Sequence, residues 1–218
     1  MRKTTETTSI LRKYFDTLFD FFGPQFWWPG ETPFEVIIGA ILTQNTTWKN
    51  VEKAISNLKK ENLLSPDKLY TVSPQKLATL IKPSGYYNQK SKKIASFMRY
   101  FKQEYNLNIN NMQPVPTDIL RDQLLNIFGI GPETADSILL YALSRPVFVV
   151  DAYTRRIFSR HKLLDKNDSY ENIRSFFETS LEKNIAFYNE YHALIVSLGK
   201  DYCKPTPKCT DCPLKKFL

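Results

Sequence analysis

The chain has 218 residues, of which 42% are hydrophobic, so it can bury a core and is not expected to be disordered. Thirty Lys and Arg residues against twenty-two Asp and Glu residues give a net charge of +8. Such an excess is typical of proteins that bind nucleic acid, although charge spread evenly over the surface carries no such meaning. The first residues lack the apolar core of a signal peptide, and no apolar run is long enough to span a bilayer. We therefore expect a soluble, cytoplasmic protein without a membrane partner.

Helical periodicity dominates the chain. Apolar residues recur three and four positions apart in five segments, which are 10–22, 51–58, 91–101, 170–181 and 187–198. Residues 34–42 are apolar on almost every side, which is typical of a buried helix. Only the run V-F-V-V at 147–150 suggests an extended segment. The pattern predicts an all-α protein.

Two aromatic or polar loops interrupt this pattern. Trp27, Trp28 and Pro29 follow the first helix; at least one tryptophan either lines a cleft or packs the first helix onto the next. The loop S-G-Y-Y-N-Q-K at 84–90 places aromatic residues among amide and basic ones. Lysines at 90, 92 and 93 oppose the dipole of the helix that follows, which a facing phosphate would explain. A solvated lysine face is the alternative.

Residues 127–151 hold the most distinctive pattern. Gly129 and Gly131 form a tight turn, and Pro132 stands where a first helical residue belongs. A glycine turn that exposes backbone N–H groups can hold a phosphate. Asp151 ends the V-F-V-V run, where its carboxylate can act on a sugar held by that phosphate or cap the next helix.

The motifs I-F-G-I-G-P-E-T-A at 127–135 and V-V-D at 149–151 resemble the helix-hairpin-helix DNA glycosylases of the endonuclease III superfamily. The resemblance covers essentially the whole chain. It implies two helical lobes with a DNA-binding cleft between them, and a monomer that binds double-stranded DNA containing a damaged base. The implied boundaries are a lobe at 29–145 with the hairpin motif at about 120–144, residues 1–28 joining a C-terminal lobe at 146–202, and a cysteine loop at 203–218.

The resemblance also assigns roles to matching residues. Asp151 is expected to be the catalytic carboxylate, and Glu133, eighteen residues earlier, stands where lyase members carry a nucleophilic lysine. Gln44 is expected to fill the gap left by a flipped base, and Tyr86 to act as a wedge. The residues expected to contact the DNA backbone are Gly129, Ile130, Gly131, Thr134 and Lys90.

A glutamate cannot form a Schiff base, so Glu133 predicts a monofunctional glycosylase that uses water. Glu133 also suits the first turn of a helix on electrostatic grounds alone. The expected base pocket is aromatic (Trp27, Trp28, Pro29 and Trp48), which suits a cationic N-alkylated purine such as 3-methyladenine. The alternatives are a monofunctional enzyme for uracil or mispaired thymine, a glycosylase and lyase for oxidised or mismatched pyrimidines, and a non-catalytic DNA-binding protein.

Cys203, Cys209 and Cys212 are the only cysteines, an odd clustered set that favours a metal loop over disulfides. The family keeps a 4Fe–4S cluster here, but Leu218 stands at the fourth ligand position. Three thiolates can hold a cluster with another ligand, a zinc ion, or nothing. The chemistry itself needs no cofactor. His161 and His192 have no partners at metal spacing and are expected to be structural or surface residues.

Overall fold

The computed structural model describes residues 2–27 and 30–218, which form eleven α-helices and no β-strand. The all-α prediction is confirmed. The helices are α1 (Arg2–Phe22), α2 (Pro33–Leu42), α3 (Trp48–Lys60), α4 (Pro66–Thr71), α5 (Pro74–Leu80), α6 (Tyr87–Tyr105), α7 (Thr117–Leu125), α8 (Pro132–Ser137), α9 (Ala152–Arg160), α10 (Tyr170–Ser180) and α11 (Ile185–Asp201). None of these helices is both long and apolar enough to cross a membrane.

The described chain divides into two compact units. The terminal unit contains residues 2–27 and 146–218, and the central unit contains residues 30–145. The terminal unit is thus built from both ends of the chain, with α1 packed against α10 and α11.

Aromatic side chains fill the core of the terminal unit. The rings of Phe148 and Phe177 stack with centroids 4.0 Å apart. The hydroxyl of Tyr191 on α11 donates to the carbonyl of Leu11 on α1 at 2.8 Å. A Cβ atom at Gly199 would lie only 2.2 Å from the ring of Tyr153, so α11 approaches α9 closely because this position is a glycine.

The central unit is organised around α2, which is buried at every position from Phe34 to Leu42. Helices α3, α6 and α8 all pack against it. Helix α8 continues directly into a π-helical turn, Ile138–Ala142, whose apolar side chains also face α2. The apolar segment at residues 34–42 is therefore the core helix of this unit.

A buried ion pair joins α7 to α8 across the glycine turn. Arg121 donates from Nε to one oxygen of Asp136 at 2.6 Å and from Nη2 to the other at 3.1 Å. The carboxylate of Asp136 is fully buried. Two parallel bonds of this kind fix the relative orientation of both helices. The pair therefore sets the geometry of the hairpin.

We expect Arg121→Ala to lower the free energy of unfolding by about 3–5 kcal/mol, because it removes the guanidinium from a buried carboxylate. Urea unfolding followed by circular dichroism measures the change. Arg99→Ala, at an exposed position on α6, is the control and is expected to cost less than about 0.5 kcal/mol. Equal losses in the two variants would contradict a stabilising role for the pair.

Candidate active site

Asp151 is the N-cap of α9. Its Oδ1 accepts the backbone N–H of Thr154 at 2.7 Å and the hydroxyl of the same residue at 2.9 Å. The side chain of Asp151 is only 11% exposed. The cap satisfies a backbone donor of the first helical turn and removes the rotational freedom of the carboxylate. The chain thus carries a fixed, nearly buried carboxylate at the predicted catalytic position.

His192 lies beside Asp151 within the terminal unit. Its Nε2 is 3.6 Å from Oδ2 of Asp151, and both side chains are largely buried. Burial raises the pKa of Asp151, but His192 and the bonds from Thr154 lower it by more, so this pKa falls below its ordinary value of 3.8. The site therefore favours the ionised carboxylate.

His192 is assigned no role at this site by any sequence motif. It lies on α11, far along the chain from Asp151, and no local spacing connects the two residues. The packing of α11 on α9 brings them together. Such a contact leaves no motif in a single sequence.

In the central unit, Gln44 is bound to the hairpin. Its Nε2 donates to the carbonyl of Gly129 at 3.0 Å and to the hydroxyl of Thr134 at 2.9 Å. The ammonium of Lys93 donates to its Oε1. Gly129 has a left-handed backbone with φ +82°, and a Cβ there would lie 2.3 Å from the Lys93 side chain. The predicted gap-filling residue thus contacts the predicted phosphate turn.

The side chains of Thr134 and Lys90, two residues predicted to contact the DNA backbone, are buried. Thr134 is buried and its hydroxyl accepts from Gln44. Lys90 is 2% exposed, and its Nζ donates to the carbonyls of Leu42 at 2.8 Å and Ser84 at 2.7 Å. Burial, and to a lesser extent the charge of Lys93, lowers the pKa of Lys90 to about 8. The prediction that Lys90 contacts a phosphate is wrong, because its ammonium is enclosed by protein.

Two other residues with predicted roles, Tyr86 and Glu133, are exposed. Tyr86 is 70% exposed and precedes α6 with a left-handed backbone of φ +46°. Glu133 is exposed in the first turn of α8, two residues after Gly131. The side chain of Ile130 is buried, so the predicted contact of this residue with a phosphate would involve its backbone. The roles of these residues stay predictions.

The predicted base pocket is described in part. Trp28 and Pro29 lie outside the described residues. Trp27 belongs to the terminal unit, where the ammonium of Lys200 lies 5.3 Å from the centre of its ring. Trp48 belongs to the central unit and lines a cavity of about 210 Å³ with Glu35, Gly39, Glu52, Ile55, Ser56 and Lys59.

The three cysteines line one pocket of the terminal unit together with Leu218. Among the described residues, no group of three or more His, Cys, Asp or Glu side chains is placed to share a metal ion. A 4Fe–4S cluster takes four ligands, typically thiolates, and the side chain of Leu218 offers no donor. The residues present do not fit a four-thiolate cluster. A cluster completed by another ligand stays a prediction.

Two arginines of α9 attach this cysteine loop. Arg160 donates to Sγ of Cys203 at 3.2 Å and to the carbonyls of Lys204 and Pro205. Arg156 donates to the carbonyl of Cys203 at 2.6 Å. The backbone of the loop is therefore held by guanidinium groups.

The family model described as HhH-GPD superfamily base excision DNA repair protein matches residues 38–183. The chain belongs to the HhH-GPD superfamily. This match spans the hairpin, Asp151 and the turns that contain Gln44 and Tyr86. The resemblance seen in the sequence is thereby confirmed. This HhH-GPD protein is a DNA glycosylase of base excision repair.

Relatives of this HhH-GPD protein agree with that assignment. It is 48% identical over 210 residues to a candidate DNA repair glycosylase of Methanocaldococcus jannaschii, a match that covers 95% of each chain. It is 30% identical to endonuclease III of Thermotoga maritima, covering 84% of this chain and 81% of the relative.

Two solved structures are also similar. The H. pylori 3-methyladenine DNA glycosylase bound to 1,N6-ethenoadenine matches with a TM-score of 0.71 and 29% identity, over 90% of this chain and 97% of that one. A non-covalent endonuclease III–DNA complex matches with a TM-score of 0.82 over 96% and 94% of the two chains. Its 24% identity makes it informative about the fold alone.

His192→Asn is expected to move the acid limb of the base-release rate to higher pH. A base-release reaction that depends on Asp151 as its catalytic carboxylate needs the ionised form, so its rate falls as the pH drops through the pKa of Asp151. Removing His192 removes a cause that lowers this pKa. Single-turnover rates measured across pH test the shift. His161→Asn, which alters a histidine bonded to Tyr14 instead, is the control. An unshifted acid limb in His192→Asn would contradict the coupling.

Proposed function

We propose that this protein is a monofunctional DNA glycosylase that hydrolyses the N-glycosidic bond of a flipped, N-alkylated purine. The observation that carries the proposal is the carboxylate of Asp151. It is fixed by Thr154, nearly buried, and favoured in its ionised form. These are the properties needed by a group that stabilises a positively charged sugar.

The proposed reaction uses water as its nucleophile. As the bond to the base breaks, the base leaves with the bonding electrons and the sugar becomes an oxocarbenium-like cation. Asp151 stabilises that cation and orients the attacking water. The water oxygen bonds to the anomeric carbon and its proton is released, which leaves an abasic site. A preorganised carboxylate supports this step because it does not have to reorient during the reaction.

Glu133 supports a monofunctional enzyme. A lyase needs an amine that attacks the anomeric carbon and forms a Schiff base, and a carboxylate has no amine. Glu133 occupies the matching position in the first turn of α8. Water attack then ends the reaction at the abasic site.

The preference for alkylated purines rests on aromatic and acidic side chains. The cavity beside Trp48 also contains Glu35 and Glu52. Lys59 bonds to Glu35 at 3.0 Å and offsets its charge, whereas Glu52 adds a carboxylate to the same wall. An indole ring and a carboxylate both favour a cationic base over a neutral one. The 29% identical H. pylori enzyme is named a 3-methyladenine DNA glycosylase.

We expect the wild-type protein to release 3-methyladenine from methylated duplex DNA, and Asp151→Asn to lower that rate by roughly 10²–10⁴-fold while retaining DNA binding. Chromatography of the bases released from alkylated, oxidised and uracil-containing DNA measures this. Asp122→Asn, which changes an exposed carboxylate on α7, is the control. An unchanged rate in Asp151→Asn would contradict the catalytic role. Release of uracil or oxidised pyrimidines in place of 3-methyladenine would contradict the proposed substrate.

Borohydride is expected to trap no covalent complex between the wild-type protein and abasic DNA. Glu133→Lys places an amine at the lyase position, so it is expected to yield trapped complex, whereas Glu133→Gln is not. Denaturing gel electrophoresis of labelled DNA detects the product. A stable wild-type complex would contradict the monofunctional assignment.

A further inference from the structure

Lys90 carries a positive charge inside the central unit, and the mechanism above makes no use of it. Its side chain is 2% exposed. Its ammonium donates to two backbone carbonyls, of Leu42 at 2.8 Å and of Ser84 at 2.7 Å. Enclosing a charge costs free energy that these bonds only partly offset. An apolar residue of similar length would fill the same space without enclosing a charge.

The two carbonyls belong to the ends of two different elements. Leu42 is the last residue of α2, and Ser84 is the last residue of a 3₁₀ turn, Lys82–Ser84. Carbonyls at a helix end lack some of their helical partners and carry partial negative charge. One ammonium therefore satisfies acceptors that two separate chain segments leave open.

Each of these carbonyls lies two residues before a side chain predicted to enter DNA. Leu42 precedes Gln44, and Ser84 precedes Tyr86. The backbone beyond each one is left-handed, with φ +53° at Asn45 and +46° at Tyr86. This conformation is costly for a tyrosine and persists only where the surroundings hold it, whereas an asparagine tolerates it. Lys90 holds the chain immediately before both.

We propose that Lys90 is a positioning residue whose ammonium ties the Gln44 turn to the Tyr86 turn, so that both side chains enter the duplex from one rigid support. This inference deepens the proposed function and rests on it. Lys90 itself does not touch DNA. To fill the gap left by a flipped base, the side chain of Gln44 must break its bonds to Gly129 and Thr134. The bond from Lys90 to Leu42 keeps the backbone of the Gln44 turn in place while that side chain moves.

The test uses Lys90→Met, which keeps the length of the side chain but removes its charge and donors. Lys92→Met removes the same charge from an exposed position on α6 and is the matched control. The duplex carries an abasic-site analogue opposite 2-aminopurine, whose fluorescence reports insertion into the gap without any bond cleavage. We expect Lys90→Met to lose most of the fluorescence change at saturating protein. Its base-release rate is expected to fall on the order of 100-fold, the cost of a misplacement of about 1 Å.

Equal fluorescence change and rate in Lys90→Met and Lys92→Met would overturn the proposal, even if Lys90→Met melted at a lower temperature. Should Lys90→Met not fold, Lys90→Gln, which keeps two N–H donors, is measured in its place. Failure of both variants to fold beside a folded Lys92→Met would show that Lys90 serves the fold itself, and this also overturns the proposal. If the wild-type protein releases no base, the proposed function fails, and the fluorescence change alone decides the role of Lys90.

Discussion

The bond from the backbone N–H of Thr154 to Asp151 fixes the carboxylate on which the proposed chemistry depends. The first turn of any helix has N–H groups without helical partners, and an aspartate cap satisfies one of them. The same donors favour the charged form of the carboxyl group, which is the form that stabilises a cationic sugar. Capping and catalysis therefore require the same position and the same charge. They do not compete, because Oδ1 accepts from Thr154 while Oδ2 faces His192.

The environment of this carboxylate comes from the packing of α11. Gly199 lets α11 approach α9 until a Cβ would clash with Tyr153. Near the middle of α11, the hydroxyl of Tyr191 bonds to Leu11 of α1. His192 is the next residue, so these contacts on α11 place it beside Asp151. The pKa of the carboxylate is thus set by tertiary packing as well as by the local cap.

Local spacing predicted the helices, the hairpin and the capping role of Asp151, because each depends on residues a few positions apart. The ion pair between Arg121 and Asp136 and the contact with His192 depend on how distant segments pack, and no motif marks them. Lys90 is a different case. It shares one helical face with Ile94, Phe97 and Phe101, so its burial follows from the spacing once that face is recognised as core. The neighbouring lysines at 92 and 93 make this segment resemble a charged surface, so the burial of Lys90 is not evident from the charge pattern.

Helix α9 links the candidate catalytic carboxylate to the cysteine loop. The helix begins after Asp151 and ends at Arg160, whose guanidinium binds the loop at Cys203, Lys204 and Pro205. A metal centre normally organises such a loop by drawing its ligands together. Here the arginines satisfy its carbonyls directly, and each bond to a charged donor contributes more than a neutral one. Asp151 caps one end of α9 and Arg160 holds the loop at the other, so one short helix carries both attachments.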